Sequence, residues 1–188
     1  MRAMHPQQSV ATEPQMGERQ MGERQVAEHQ LDERQLRDAL GRFATGVTIV
    51  TCCDAQGAFV GLTANSFASL SLDPPLVLWS LRSSSPLCVA FLAAKRFAVN
   101  VLTESQVDLS RRFASRDEHR FADGIWGLGE HGAPLLAGCA ATFECESLSN
   151  QIAGDHHLFI GRVLACSEST LPPLVFQAGH YRMLGEVL

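Results

Sequence analysis

GLTANSFASLSLDPPLVLWSL, residues 61–81, sets small polar side chains (Thr63, Asn65, Ser66, Ser69, Ser71) between apolar ones, then a Pro-Pro pair, then the strongest strand signal in the chain. Its last part, residues 75–81, is a continuous apolar run, which predicts a strand buried on both faces. Directly after it, Arg82-Ser83-Ser84-Ser85-Pro86 reads as the start of a helix. Ser85 fits an N-cap and Pro86 the first helical position, and PLCVAFLAAK brings Leu87, Ala90, Phe91 and Ala94 to helical spacing. A strand, a polar loop and a helix N-terminus thus lie close together, as in a site for a small molecule that carries a phosphate.

Upstream, residues 46–53 (GVTIVTCC) are β-branched and predict a strand. DAQG at 54–57 supplies turn chemistry before a second strand at 58–62, so the pair reads as a hairpin. Further upstream, DERQLRDALGRF places Leu36, Leu40 and Phe43 at helical spacing from about Asp32, where the domain starts. Residues 1–31 are an extension. It opens with a polar stretch and continues as the tandem pentapeptide MGERQ, MGERQ, VAEHQ, LDERQ. An apolar residue every five positions advances ~140° per step and makes no stripe on a helix, so disorder or patchy helicity is expected.

Downstream, FAVNVL at 97–102 returns to strand, and Thr103 with Gln106 offers a capping box for a helix running through Phe113. Residues 114–134 are charged, then glycine-rich, and read as a long surface loop. Two long strands follow, at 140–148 and 157–166, with AGD at 153–155 between them. In the first, alternation turns Ala141, Phe143 and Cys145 to the core and Glu144 and Glu146 to water. Residues 174–176 and 180–184 form a last pair around Ala178-Gly179. Strands outnumber helices and are joined by turns, which predicts a mainly β fold: an antiparallel, Greek-key-like β-barrel with a few covering helices, over residues 32–188.

Composition excludes several classes. A net charge of −5 over 188 residues, with 19% charged and 46% hydrophobic, is a globular balance without the basic surplus of a nucleic-acid binder. The apolar runs are far short of the ~20 residues of a membrane helix. The six cysteines (Cys52, Cys53, Cys88, Cys139, Cys145, Cys166) form no C-x-x-C pair and sit in apolar settings, so reduced, buried thiols and a cytoplasmic protein are expected. G-x-S-x-G, P-loop and G-x-G-x-x-G motifs are absent.

Three constellations remain. Ser83-Ser84-Ser85-Pro86 beside Arg82 suits an anion, although an ordinary N-cap accounts for the same residues. Thr63-Ala64-Asn65-Ser66 offers donors and acceptors for the edge of a heteroaromatic ring, although a turn into the next strand does so too. In Asp155-His156-His157 strand alternation points the two imidazoles to opposite faces, so they do not share a metal ion. One of them faces a ligand, or both are structural. No metal site is expected.

In order along residues 35–185, the segments LRDALGRFATGVTIVT, GLTANSFASLSLDPPLVLWSL, FAVNVLTESQ, LSRRFASRDEHRF, GDHHLFIGRV and PLVFQAGHYRML resemble the short-chain flavin reductases. These are the NAD(P)H-dependent partners of two-component flavin monooxygenases. The resemblance implies a split β-barrel, a homodimer, and FMN or FAD bound near the subunit interface, with NADH or NADPH as hydride donor. By position, it implies that Thr63, Ala64, Asn65 and Ser66 line the isoalloxazine and ribityl groups. Ser80, Leu81, Arg82, Ser83, Ser84 and Ser85 would run past the ribityl chain to the phosphate. Arg120 would lie near the phosphate or the distal part of the cofactor. His156, as the catalytic-site residue, and Tyr181 would lie on the nicotinamide side. His119 departs from the family, which more often shows Asp before Arg-Phe. The activity implied is hydride transfer to flavin N5, supplying reduced flavin to a separate monooxygenase. A non-catalytic flavin carrier or sensor on the same barrel is the alternative, and an oxygenase or nitro/azo reductase using bound flavin is a third.

Overall fold

The computed structural model describes residues 32–115, 120–122 and 124–186. The pentapeptide extension and His119 lie outside them. In chain order the elements are α1 (Glu33–Leu40), β1 (Thr45–Gly46), β2 (Thr48–Cys53), β3 (Phe59–Ala64), β4 (Ala68–Leu72), β5 (Pro75–Arg82) and α2 (Cys88–Ala93). They continue with β6 (Arg96–Val101), α3 (Val107–Ala114), β7 (Trp126–Leu128), β8 (Pro134–Leu136), β9 (Ala141–Ala153), β10 (His156–Glu168), β11 (Val175–Gln177) and β12 (His180–Arg182).

The predicted hairpin forms, with β2 antiparallel to β3 and Thr48 opposite Ala64. Its turn closes on Asp54, whose carboxylate accepts from the N–H groups of Gln56 (2.9 Å) and Ala58 (2.8 Å). The capping box forms as well: the Thr103 N–H donates to Gln106 Oε1 at 3.0 Å, one 3₁₀ turn ahead of α3.

Seven strands make one antiparallel sheet in the order β3-β2-β6-β9-β10-β5-β4. Its outermost strands, β3 and β4, are consecutive in the chain and joined by residues 65–67 alone. In a flat sheet they would be about 29 Å apart, and the link spans at most about 14 Å. The sheet must therefore curl until its two edges meet. Among the described residues β3 and β4 are not paired with each other, so the barrel is split along this seam. A three-stranded sheet (β1-β11-β12) and the β7–β8 hairpin pack outside.

Two cores result. Val50, Cys52, Val77, Trp79, Phe97, Cys145 and Phe159 fill the barrel, closed by Phe91 of α2. Val47, Ile49, Leu102, Phe113, Leu136 and Leu174 fill the space between the outside of the barrel and α3 with the smaller sheets. Strand β2 lies between the two cores, so the strand buried on both faces is β2, not β5. β5 alternates instead: Val77, Trp79 and Leu81 are buried, while Leu76, Leu78 and Ser80 are half-buried on the outer face.

Other expectations are corrected by packing. Strand β4 is an unforeseen element, drawn out of the polar cluster by pairing with β5. Residues 114–134 are not simply a surface loop, because Phe121 and Trp126 join Phe113 in the second core with ring centroids 4.9–5.1 Å apart. The β7–β8 hairpin there covers the outer face of β9 and buries Glu144 to 6% exposure, where water was expected. That carboxylate accepts from the His131 N–H at 2.8 Å, and Gly129 passes so close that a Cβ would meet Glu144 Oε2 at 2.3 Å. The cysteines are all free thiols, but Cys166 is exposed and Cys53 half-buried. Burial pushes the thiols of Cys52, Cys139 and Cys145 up to about 12. Among the described residues no helix is long and apolar enough to cross a membrane.

Gly161 shows how tightly the barrel closes. A Cβ there would meet Phe97 Cζ at 2.3 Å and Cys145 Cβ at 3.2 Å, and Phe97 is itself only 2% exposed. Gly161→Ala is expected to cost ~1–3 kcal/mol through overpacking, read as a lowered denaturant midpoint with an unchanged slope. An unshifted midpoint would show that Phe97 has room to move.

Candidate active site

One side chain ties the link between β3 and β4 to β5. Ser66, just past the end of β3, donates from Oγ to the Ser80 carbonyl (3.1 Å) and accepts from the Ser80 N–H (2.9 Å). A serine hydroxyl thereby takes the place of a strand partner for β5. At the same end Thr48 Oγ1 donates to the Ala64 carbonyl at 2.7 Å, fixing the last residue of β3. A groove of about 330 Å³ opens over this seam, lined by Leu62, Thr63, Ala64, Asn65, Ser66, Ser80, Leu81, Arg82, Ser85 and His156. It unites the two segments singled out in the sequence with the histidine of a strand ninety residues away, because β10 pairs with β5 and sets His156 opposite Arg82.

The polar groups of the groove are poised for a ligand. Asn65 is exposed and its amide has no protein partner among the described residues. The loop after β5 differs from expectation: helix α2 begins at Cys88, two residues later than the Ser85-Pro86 start predicted, and has Leu87 at its N-cap. Ser85 instead closes a turn, accepting from the Leu87 N–H at 3.3 Å on Oγ and from the Cys88 N–H at 3.0 Å on its carbonyl. The anion-binding potential therefore belongs to the loop rather than to a helix end. Arg82, Ser83 and Ser84 are exposed there, and the Ser83 N–H is tied to the Asp155 carbonyl at 2.9 Å.

His156 is held from one side. Its Nδ1 lies 2.7 Å from Asp155 Oδ1, with the histidine side chain 37% and the aspartate 77% exposed. Hydrogen bonding from His156, chiefly, holds the Asp155 carboxyl below its ordinary range. An ionised carboxylate accepts, so Nδ1 carries the proton and Nε2 is left as an acceptor in the neutral ring. His157 points the other way, toward Phe159. Among the described residues no cluster of His, Cys, Asp or Glu forms a metal site.

Tyr181 and Arg120 do not line the groove. The Tyr181 OH is 2.9 Å from Ser110 Oγ and its ring 5.4 Å from that of Phe176. The Arg120 guanidinium donates to the carbonyls of Gly61 (3.1 Å) and Ser115, while its buried Nε has no hydrogen-bond partner among the described residues. Sequence reasoning gave no role to Ser110, whose carbonyl accepts from Thr63 Oγ1 at 2.7 Å. It also missed a second cavity of about 620 Å³ between α1 and the β11–β12 turn, which meets the first at Asn65. Its lining includes Arg42, Phe43 and Gln177, which only the folded chain brings together.

A barrel split at a polar seam, with a ring-sized groove and a serine-rich loop at its mouth, has the architecture of a flavin-binding split barrel. The chain belongs to the flavin reductase like domain family, whose model matches residues 40–185. It is 51% identical over 145 residues to a protein named "Probable flavin reductase" from Rhizobium meliloti, covering 77% of this chain and 47% of that one. It is 43% identical to the reductase component of the flavin-dependent trigonelline monooxygenase of Acinetobacter baylyi, again covering 77% and 47%. The chain thus spans about half the length of both curated relatives. Among solved structures, the NADH:FAD oxidoreductase SgcE6 of Streptomyces globisporus superposes with a TM-score of 0.77 at 38% identity, covering 84% of this chain and 95% of that one.

Proposed function

We propose that this protein reduces FMN or FAD with NADH or NADPH and releases the reduced flavin to a separate monooxygenase. The observation that carries the reading is the meeting of residues 63–66, residues 80–82, Ser85 and His156 in one groove at the seam of a flavin reductase family barrel, with Ser83 and Ser84 exposed in the loop beside it. The donor chemistry fits a flavin: an unpartnered amide at Asn65 for a ring edge, and the exposed serines beside Arg82 for a phosphate. The reductase components and the NADH:FAD oxidoreductase among its relatives support both the activity and a monooxygenase partner.

Bound there, a flavin supplies an electrophilic N5 for the hydride and a pyrimidine edge that gains negative charge. The chain contributes position rather than acid or base. Asn65 and the backbone of residues 63–66 would hold the ring edge, and Ser83, Ser84, Ser85 and Arg82 would hold the phosphate. His156, with Nε2 as acceptor, would receive the carboxamide N–H of the nicotinamide. Orientation of two rings at reacting distance can lower a barrier by ~7–11 kcal/mol. The groove is shallow and open at the mouth, as suits a flavin that leaves after each turnover. Leu36, Leu40 and Phe43, at 43%, 66% and 77% exposure, leave an apolar stripe beside the site that supports assembly as a homodimer.

The test is turnover. Purified protein mixed with NADH or NADPH and free FMN or FAD should consume the nicotinamide above the blank with at least one pair. No consumption with any pair rejects the reading. For the phosphate, Ser85→Ala should weaken FMN about tenfold or more, the loss of a charge-assisted hydrogen bond, and leave riboflavin nearly unchanged. Equal loss for both flavins would remove Ser85 from the phosphate.

A further inference from the structure

We propose that Ser110 is a positioning residue that fixes the hydrogen-bonding polarity of Thr63 in the groove, and that Tyr181 acts through Ser110 rather than on the nicotinamide. The inference rests on the flavin reductase reading of the groove. It starts from a line of hydrogen bonds through three elements: Thr63 on β3 to Ser110 on α3 (2.7 Å), and Ser110 to Tyr181 on β12 (2.9 Å). Ser110 is 0% exposed. Tyr181 is gripped further by Phe176 at 5.4 Å and by the Arg111 guanidinium 5.5 Å above its ring.

The Thr63 hydroxyl has a single proton, and the Ser110 carbonyl takes it. Toward the groove Thr63 therefore presents only lone pairs and selects a ligand N–H. In a flavin, the group of that chemistry on the ring edge is the imide N–H of the pyrimidine ring. The Ser110 carbonyl points at Thr63 only while α3 keeps its rotation about its own axis, and the Ser110–Tyr181 bond ties the helix to β12 at that same residue, beside the packing of Phe113 in the core. Such a buried pair adds little net stability, because both hydroxyls give up water to meet. What it supplies is orientation. In this reading the Tyr181 hydroxyl serves Ser110 and the nicotinamide is left to His156.

Ser110→Ala, Tyr181→Phe and the double variant distinguish the outcomes. Riboflavin binding, followed by quenching of its fluorescence with no nicotinamide present, should weaken about fivefold in either single variant, the loss of one buried hydrogen bond. The double variant should be no weaker than the singles, because one line is broken in each case. KM for NADH should stay within about twofold in all three. A rise in KM for NADH equal to that for flavin would overturn the proposal, as would unchanged riboflavin affinity with only a lowered thermal midpoint, or losses that add. Should Ser110→Ala fail to fold, Tyr181→Phe keeps the ring in place and still breaks the line. Failure of the wild-type protein to bind riboflavin would reject the reading of the groove itself, a result distinct from any of these.

Discussion

Trp79→Ala is expected to abolish the folded barrel at ambient temperature or leave it barely stable. Trp79 is 0% exposed within the barrel core. Its indole stacks on Phe159 at 4.5 Å and 11°, meets Phe91 edge-on at 4.9 Å and lies tilted to Phe97 at 6.0 Å. Removing a buried tryptophan costs ~3–5 kcal/mol, because transfer energy and cavity add. A domain of this kind has ~5–15 kcal/mol in all. Phe91 and Phe159 would lose their common partner, so α2 should loosen from the barrel mouth first. Trp79→Phe keeps an aromatic face toward Phe159 and should cost less than half as much. Thermal and urea unfolding of the two variants side by side checks this. Equal stability of the alanine and phenylalanine variants would show that the ring stack does not hold the barrel.

His156→Ala is expected to raise KM for NADH about tenfold while KM for flavin moves less than twofold. One hydrogen bond from the nicotinamide carboxamide to Nε2 accounts for the size, since ~1.4 kcal/mol is a factor of ten. The split follows from placement, for His156 pairs with Arg82 across the β10–β5 ladder, on a different strand from Thr63. Asp155→Asn should give a smaller effect of the same kind, because it removes the charge that fixes the Nδ1–H tautomer. The sign of the pH dependence follows from the lowered carboxyl. A folded-state pKa below the ordinary one keeps Asp155 ionised through the neutral range, so its hold on His156 is lost only as pH falls through that lowered value. A flavin KM that rises in step with the NADH KM would show that His156 does not serve the nicotinamide.

How much of this was legible in the sequence depends on what decides each feature. The β2–β3 hairpin was readable because Asp54 and Gly57 carry local turn chemistry, and the capping box because Thr103 and Gln106 lie three residues apart. Features decided by distant packing were not. Nothing local marks β2 rather than β5 as the strand between two cores, since TIVTCC and PLVLWSL are equally apolar. Glu144 obeys alternation, yet a hairpin thirteen residues upstream in contact folds over the face it occupies. Ser85-Pro86 matched a helix start, but the chain spends one more turn before α2 begins. In the groove, the segments 63–66 and 80–85 were visible as polar interruptions beside strands, whereas Ser110 looked like any serine in a helix. Its role comes from a tyrosine 71 residues away. The split itself follows from a three-residue link between strands at opposite edges, which requires the sheet order to be known.

The most direct test of the central claim is anaerobic reduction of free flavin in large excess over protein. With NADH as donor, the account predicts that the visible absorbance of FMN or FAD bleaches completely over many turnovers, one flavin for each nicotinamide oxidised. Bleaching that stops at one flavin per chain, or does not occur with NADH or NADPH, would contradict a reductase that releases its product and leave a protein that only holds flavin.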